Sequence, residues 1–236
     1  MNGDGEKPLK FSVVIPAWRD AENLAALLPE LRRIDHCHEI IVVDAGQDGP
    51  SEKIARASEA VYRRSPHPNR GEQMNRGADI AGGEVFVFHH ADSHLTGAHF
   101  SAMERALQDQ EIIGGAFHRK FDRRHPRLRF LERVARFRAR HGGTLFGDQS
   151  IFVRREVFAR LGGFATIPLM EDIEFSRRFR AAGRLAIVDP PVQSSARRHL
   201  QRGAWHASMQ NGLFIALYKL GVSPERLHRW YYDETA

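Results

Sequence analysis

Between Phe11 and His89 short apolar runs alternate with amphipathic ones, and this alternation constrains the fold more than any other feature of the chain. Phe11-Ser-Val-Val-Ile15 has the pattern of a short buried strand, stopped by Pro16. From Asp20 to Leu31 the spacing is helical: Leu24, Leu27, Leu28 and Leu31 share one face, and Asp20 is placed to cap. Glu39 to Asp44 is a second strand, followed by the turn Ala45-Gly-Gln-Asp-Gly-Pro50 and a helix from Ser51. A third strand spans Ala60 to Arg63, a helix Gly71 to Ile80, and a fourth strand Glu84 to His89. Strands alternating with helices predict an α/β sheet, largely parallel at its start.

The second half is less regular. Ile112 to Phe121 reads as a strand with a glycine break at Gly114-Gly115, and Arg127 to Arg140 as a helix. Gln149 to Arg154 is a strand, Glu156 to Leu161 a short helix closed by Gly162-Gly163, and Leu185 to Val188 a final strand ended by Pro190-Pro191. From Gly203 to Tyr232 the chain is helical and rich in aromatics. Residues 1–9 are expected to form a mobile tail, 10–195 the main domain and 196–236 a helical extension.

The bulk properties narrow the partners. The chain has 236 residues, 42% of them apolar and 27% charged, as in soluble globular proteins. The opening Met-Asn-Gly-Asp-Gly-Glu-Lys-Pro lacks the apolar core of a signal peptide, and no apolar run approaches the ~20 residues of a spanning helix. The single cysteine, Cys37, fits a reducing cytoplasm. A formal charge of +6 and a pI near 9.9 point to an anionic partner: nucleic acid, acidic lipid or a nucleotide diphosphate. No Gly-x-Gly-x-x-Gly follows the first strand and there is no Walker sequence, which argues against a dinucleotide oxidoreductase and a P-loop enzyme.

In open α/β sheets ligands sit beyond the carboxyl ends of the strands. Three such ends carry acidic or metal-competent residues: Pro16 to Asp20, Asp44 to Asp48, and His89 to His94. In His89-His-Ala-Asp-Ser-His94, strand spacing would put His90, Asp92 and His94 on one face, a donor set suited to a divalent cation; the histidines could equally be satisfied polar groups. Asp44 ends its strand at a glycine turn, where it can serve a base or ribose or cap the turn. Arg70-Gly-Glu-Gln-Met-Asn75 opens a helix whose N–H groups, with Arg70, suit a phosphate.

Two basic or acidic helices remain. In Pro168 to Arg184, Glu171 and Asp172 follow a proline-bounded loop and precede apolar Ile173, Phe175 and Phe179. Carboxylates at a helix start are stabilised as caps, and these two can pair with Arg177 or Arg178; the same placement suits a base that takes a proton from a hydroxyl. In Arg127 to Arg140, a step of ~100° per residue puts Arg129, Arg133, Arg136 and Arg140 in one stripe, with Leu128, Phe130, Leu131, Val134 and Phe137 covering the other side. Such a helix suits anionic lipid, phosphate or nucleic acid, or is a solvated face. The apolar face of Trp205 to Leu220 is too short to span a membrane and suits core or a homodimer contact.

Taken in order, these segments resemble a family 2 glycosyltransferase with the GT-A fold. Phe11 to Asn23 resembles the first strand and loop of that family, Val42-Val-Asp-Ala-Gly-Gln-Asp48 its second-strand signature, and Arg70 to Gly77 its central helix. His90-Ala-Asp92 stands where the metal-binding Asp-x-Asp lies, so the cation falls to Asp92 with fewer carboxylates or with imidazole help from His90. Gly147 to Arg155 with Leu161-Gly-Gly-Phe164 resembles the acceptor-side segment, and Glu171-Asp172 the acidic pair that holds the catalytic base. Ser195-Ala-Arg-Arg198 and the run at 220–226 are similar to a bacterial subgroup sometimes labelled arsenosugar-biosynthesis glycosyltransferases.

The resemblance implies a catalytic domain over 10–195 and inverting transfer from a nucleotide-diphosphate sugar, with uridine the expected base, to an unidentified hydroxyl acceptor. Asp172 would be the general base beside Glu171. Pro16, Ala17, Trp18, Asp20, Asp44, Arg70, Gln73, Asn75, Ala91 and Asp92 would bind the nucleotide, and Asp148 and Gln149 the sugar or acceptor. Arg177 and Arg178 would hold phosphate or orient the acidic pair, and Mn²⁺ or Mg²⁺ on Asp92 and His90 would be the cofactor. The expected location is cytoplasmic, with peripheral contact at the inner membrane through helix 127–140, and no specific nucleic acid is called for. Three rivals stand beside this expectation: a nucleic-acid-binding module, a metal-dependent hydrolase built on the histidines, and an inactive nucleotide-sugar-binding protein.

Overall fold

A computed structural model describes residues 8–46, 49–121, 126–194 and 204–233. Asp48, residues 1–7 of the expected tail and the Ser195–Arg198 segment lie outside them. One eight-stranded mixed sheet forms the centre, in the order β3-β2-β1-β4-β7-β6-β8-β5. Its strands are β1 (Phe11–Ala17), β2 (Cys37–Asp44), β3 (Val61–Arg64), β4 (Val85–Phe88), β5 (Ser93–His94), β6 (Ile112–Phe121), β7 (Ile151–Arg154) and β8 (Arg184–Ser194). The first four pair in parallel, as their apolar runs predict; β7 runs antiparallel to β4 and β6, and β5 antiparallel to β8.

The helices are α1 (Ala21–Arg32), α2 (Pro50–Ala57), α3 (Arg70–Ala78), α4 (Gly97–Leu107), α5 (Pro126–Arg140), α6 (Arg155–Arg160), α7 (Glu171–Ala182), α8 (Ala204–Lys219) and α9 (Pro224–Asp233). They cover both faces of the sheet. One layer joins β-strand residues such as Val13, Ile15 and Val42 to Leu24, Leu27 and Leu28 of α1 and Phe100 and Met103 of α4. The other joins Val14, Ile41 and Phe88 to Met74 of α3, Phe158 of α6 and Phe175 and Phe179 of α7.

Of the elements that differ from the sequence expectation, four do so for a plain local reason. Strand β1 passes through Pro16 to Ala17. Val14 accepts from His89 N–H on the β4 side, so Pro16, two residues on, faces the same side, where β4 has already ended at Phe88 and no donor is required. Strand β8 likewise continues past Pro190-Pro191, because its pairing with β6 jumps from Val188 to Val192 and the prolines sit in that irregularity. Helix α4 belongs to a stretch that the pattern leaves unassigned; Thr96 caps it, and His99 takes the place an acidic residue usually holds in the capping box, its Nδ1 2.8 Å from Thr96 Oγ1. The C-terminal helical stretch is two helices, interrupted at Gly221 with φ of 92°.

The glycine break in β6 has a packing cause: a Cβ on Gly115 would lie 1.9 Å from the carbonyl oxygen of Ala186 in β8. Helices α8 and α9 pack at the start of α7, where Phe214 and Leu227 meet Met170 and Ile173. No described helix is long and apolar enough to cross a membrane.

Candidate active site

The carboxyl ends of β1, β2 and β4 open on one side of the sheet, and the amino ends of α3 and α7 meet there. Asn69 caps α3 by accepting from Glu72 N–H at 2.9 Å, and its amide donates to Ile167 O at 3.2 Å. Asn75, further along α3, exchanges two hydrogen bonds with the backbone of Phe164, each 2.8 Å. These contacts fasten the loop that leads into Glu171-Asp172.

Helix α7 begins after Met170, which occupies the cap position at φ of 74° with no side-chain cap bond. Glu171 and Asp172 are its first two residues. Asp172 Oδ1 accepts from the N–H of its neighbour Ile173 at 2.7 Å, and Oδ2 accepts from Gly147 N–H at 3.0 Å. Residues at intervals of four share a helix face, and Asp172, Ser176 and Arg180 form such a row. Ser176 Oγ accepts from Leu145 N–H at 2.8 Å, and Arg180 donates to Gly143 O and Ala139 O, both at 2.6 Å. One face of α7 thus stitches down the segment 139–147 and sets Gly147 against Asp172. A side chain at position 147 would bring its Cβ to 2.7 Å from His90 Nε2, so the small residue admits the imidazole. The sequence reading missed this row and the part played by Gly147; the four-residue spacing was the available signal.

Charge is concentrated here. Burial raises the pKa of Asp172 to about 7; the neighbouring Glu171 adds to the rise, and Gly147 N–H and Arg70 oppose it. Glu171 is only 7% exposed. Arg70 opens on the cleft, where the surrounding protein works to lower its pKa; Glu171 and Asp172, then Tyr232 and Asp92, overcome that and hold it above the ordinary guanidinium value. Arg70 therefore stands among the carboxylates of both the strand end and α7, and Tyr232 brings α9 to the same cleft.

The histidine-rich strand end is divided rather than gathered. The chain leaves β4 at Phe88 and turns at 90–93, with Ser93 N–H donating to His90 O at 3.2 Å, so strand spacing does not hold and His94 leaves the expected face. His89 is buried, its ring nitrogens 2.7 Å from Ser150 Oγ and 3.0 Å from Ser93 O, and burial lowers its pKa to about 3. His94 reaches Glu30 at 3.1 Å. Asp92 is exposed in the turn beside buried Ala91, and His90 faces Gly147. Among the described residues no three acidic, histidine or cysteine side chains form a cation cage. The donors at the cleft, Asp92 with His90, suit a cation that takes its remaining ligands from phosphate and water.

At the end of β2 Asp44 is buried, accepts from Gly46 N–H at 2.9 Å and lies 3.5 Å from Tyr62 Oη. Ala45, Arg64, Ser65 and Pro66 line an open pocket of about 410 Å³ beside it. Trp18 is 44% exposed, with the Arg19 guanidinium 4.9 Å from its ring centre. Asp20 holds the Trp18 N–H and the Asn23 amide, each at 3.1 Å, and makes no cap bond to α1.

Several expected site residues hold protein groups with their side chains. The Gln73 amide donates to Ala17 O at 2.8 Å and Val43 O at 2.7 Å, tying α3 to the ends of β1 and β2. Gln149 donates to Phe117 O at 3.1 Å and accepts from Phe146 N–H at 2.8 Å. These two and Asn75 spend their amides on backbone groups and brace the site. Asp148 pairs with Arg119 at the site's rim. Arg177 and Arg178 lie beyond Glu174 on α7 and pair with it, at 3.6 and 2.5 Å, and not with Glu171 or Asp172; Arg178 also holds the carbonyls of Leu161 and Gly163.

Residues 12–162, more than half of the chain, match the family described as Glycosyl transferase family 2. No curated protein matches the sequence. Among solved structures, residues 1–349 of TarS from S. aureus share 14% identity at a TM-score of 0.65, covering 93% of this chain and 68% of that one. The mannosyltransferase PcManGT from Pyrobaculum calidifontis, solved with GDP-Man and Mn²⁺, shares 20% identity at a TM-score of 0.66, covering 97% of this chain and 70% of its own. TarS 1–349 with UDP-GlcNAc gives 17% identity and a TM-score of 0.64 over 79% of this chain and 58% of that one. The mixed sheet with its flanking helices is the GT-A fold of these transferases.

Proposed function

The chain belongs to glycosyl transferase family 2 and is a glycosyltransferase; from that premise we propose that it moves a sugar from a nucleoside-diphosphate sugar, of the uridine type, to an acceptor hydroxyl with inversion, Asp172 serving as general base. The observation that carries this reading is the Asp172 carboxyl, raised to about 7, held by Gly147 N–H and next to a buried Glu171. A base poised near neutral pH is half-ionised where it works and takes a proton effectively.

The acceptor oxygen bonds to the anomeric carbon on the face opposite the diphosphate, its proton passes to Asp172, and the bond from that carbon to the diphosphate oxygen breaks. Asp44 and the Pro16 to Asp20 loop border the nucleoside. Arg70, at the amino end of α3, faces the diphosphate and offsets its charge. Asp92 with His90 would hold a divalent cation, which supplies Lewis-acid compensation of charge on the departing diphosphate. The structures of PcManGT with GDP-Man and Mn²⁺ and of TarS with UDP-GlcNAc support a donor of this class. Asp148 and Arg119 border the acceptor side.

A thermal-shift screen of UDP- and GDP-sugars, with and without Mn²⁺, tests the donor assignment. A bound donor raises Tm, by about 2.7 kcal/mol of stability at a hundred times its Kd. A UDP-sugar shift enlarged by Mn²⁺ is expected. No shift with any nucleotide sugar, together with salt-sensitive binding of random DNA, would contradict the proposal.

A further inference from the structure

Helix α5 turns the side opposite its buried face into solvent, and that side is apolar. At ~100° per residue Leu128 and Ala139 point inward, and both are buried. Phe130, Val134 and Phe137 fall on the opposite side and are 56%, 41% and 64% exposed. The sequence groups these three with Leu128 on the side away from the arginines, and the structure separates them: Leu128 is buried and the other three are exposed; the side chain of Leu131 lies outside the described residues. His141, just beyond the helix, stacks on Phe137 with ring centres 4.1 Å apart. Arg129, Arg133, Arg136 and Arg140 line one flank of the apolar row and Arg138 the other, all exposed. The helix has one acidic residue, Glu132, whose carboxylate accepts the Phe121 N–H at 2.7 Å. Only Arg136 and Arg140 reach an acid among the described residues, Asp189, each at 3.4 Å.

We propose that this face of α5 docks on an anionic lipid surface. An apolar row between cationic flanks is complementary to acyl chains beneath acidic headgroups. A second copy of the chain related by a two-fold axis would bring arginine rows of the same sign together. A nucleic-acid duplex would engage the arginines and leave the apolar row in water. The end of α5 is fastened to α7 through Arg180 and the Ala139 carbonyl, so docking would bring the helix that carries Asp172 to the lipid surface. The proposal stands independently of the transfer chemistry.

The test is sedimentation of the full chain with vesicles of phosphatidylcholine, and with vesicles in which part of that lipid is replaced by phosphatidylglycerol. Binding to the anionic vesicles alone, weakening as salt is added, is expected. Arg129→Gln with Arg133→Gln should lower the partition coefficient about five-fold per arginine, on the order of twenty-fold together. Phe130→Ser with Phe137→Ser should abolish binding at an unchanged Tm, since both side chains are more than half exposed. If the serine variant loses Tm, the arginine variant decides. Equal binding to both vesicle types, binding unmoved by the arginine variant, a dimer in sedimentation velocity that the serine variant dissolves, or tighter binding of duplex DNA than of anionic vesicles would each overturn the proposal.

Discussion

Residues 89–94 and residues 171–172 both look like reactive clusters in the sequence, and the fold treats them in opposite ways. The first holds three histidines and an aspartate, yet His89 is sealed in the core, His94 pairs with Glu30, His90 faces Gly147 and Asp92 is exposed in the turn. The second holds only two carboxylates, and the fold draws Gly147, Arg70 and Tyr232 toward them. Density of functional groups along a chain therefore does not measure their convergence in space. A strand end disperses its residues to alternate sides or into a turn; a helix start, braced by a row at intervals of four, gathers groups from several elements.

The largest predicted effect breaks the comparison if it fails. Asp172→Asn should lower nucleoside-diphosphate release by 10²–10⁴-fold, about the range of a lost general base, while the donor still raises Tm. The pKa of Asp172 is raised, so between the unfolded value of 3.8 and about 7 the folded state binds more protons and stability falls as pH rises. At pH 8 the variant escapes that cost but gives up one of the two bonds the carboxylate accepts, so its Tm should move by only a few degrees; loss of the fold would mark a purely structural role instead.

At the other cluster, Asp92→Ala should remove the increment that Mn²⁺ adds to the donor shift, and His94→Ala should leave it intact; a metal increment unchanged by Asp92→Ala would remove the cation site from this turn. Gln73→Ala should cost about 1 kcal/mol by removing two buried amide hydrogen bonds, read as a lower Tm without donor. A normal Tm with weakened donor binding would return Gln73 to the nucleotide. The smallest effect concerns His89. Its folded pKa of about 3 lies below the ordinary 6.5, so the unfolded chain takes up the proton and stability should decline as pH falls below 6.5. Ser150→Ala should leave that decline in place, because burial is its main cause.

How much was legible in the sequence follows from the same contrast. The four parallel strands and α1, α3 and α7 were readable, since their apolar periodicity is local. That Glu171-Asp172 opens a helix was readable from its place before an amphipathic run; the proposed base role of Asp172 came from the family resemblance and not from that spacing. Strand β8 beyond Pro190-Pro191 was not, because the prolines are tolerated only where its pairing with β6 is irregular. For Gln73, Asn75 and Gln149, nothing local reveals that their amides meet backbone groups of Ala17, Phe164 and Phe117. The outward face of α5 was legible only in part: periodicity finds the apolar residues but does not say which of them protein covers.

The most direct measurement is the pH dependence of nucleoside-diphosphate release from the donor that binds, for the wild-type chain and for Glu171→Gln. Because burial and the Glu171 carboxylate both raise Asp172, the wild-type rate should rise through an acid limb near pH 7, and Glu171→Gln should move that limb to lower pH. A limb that stays in place in Glu171→Gln and persists in the residual rate of Asp172→Asn would contradict the assignment of Asp172 as the base.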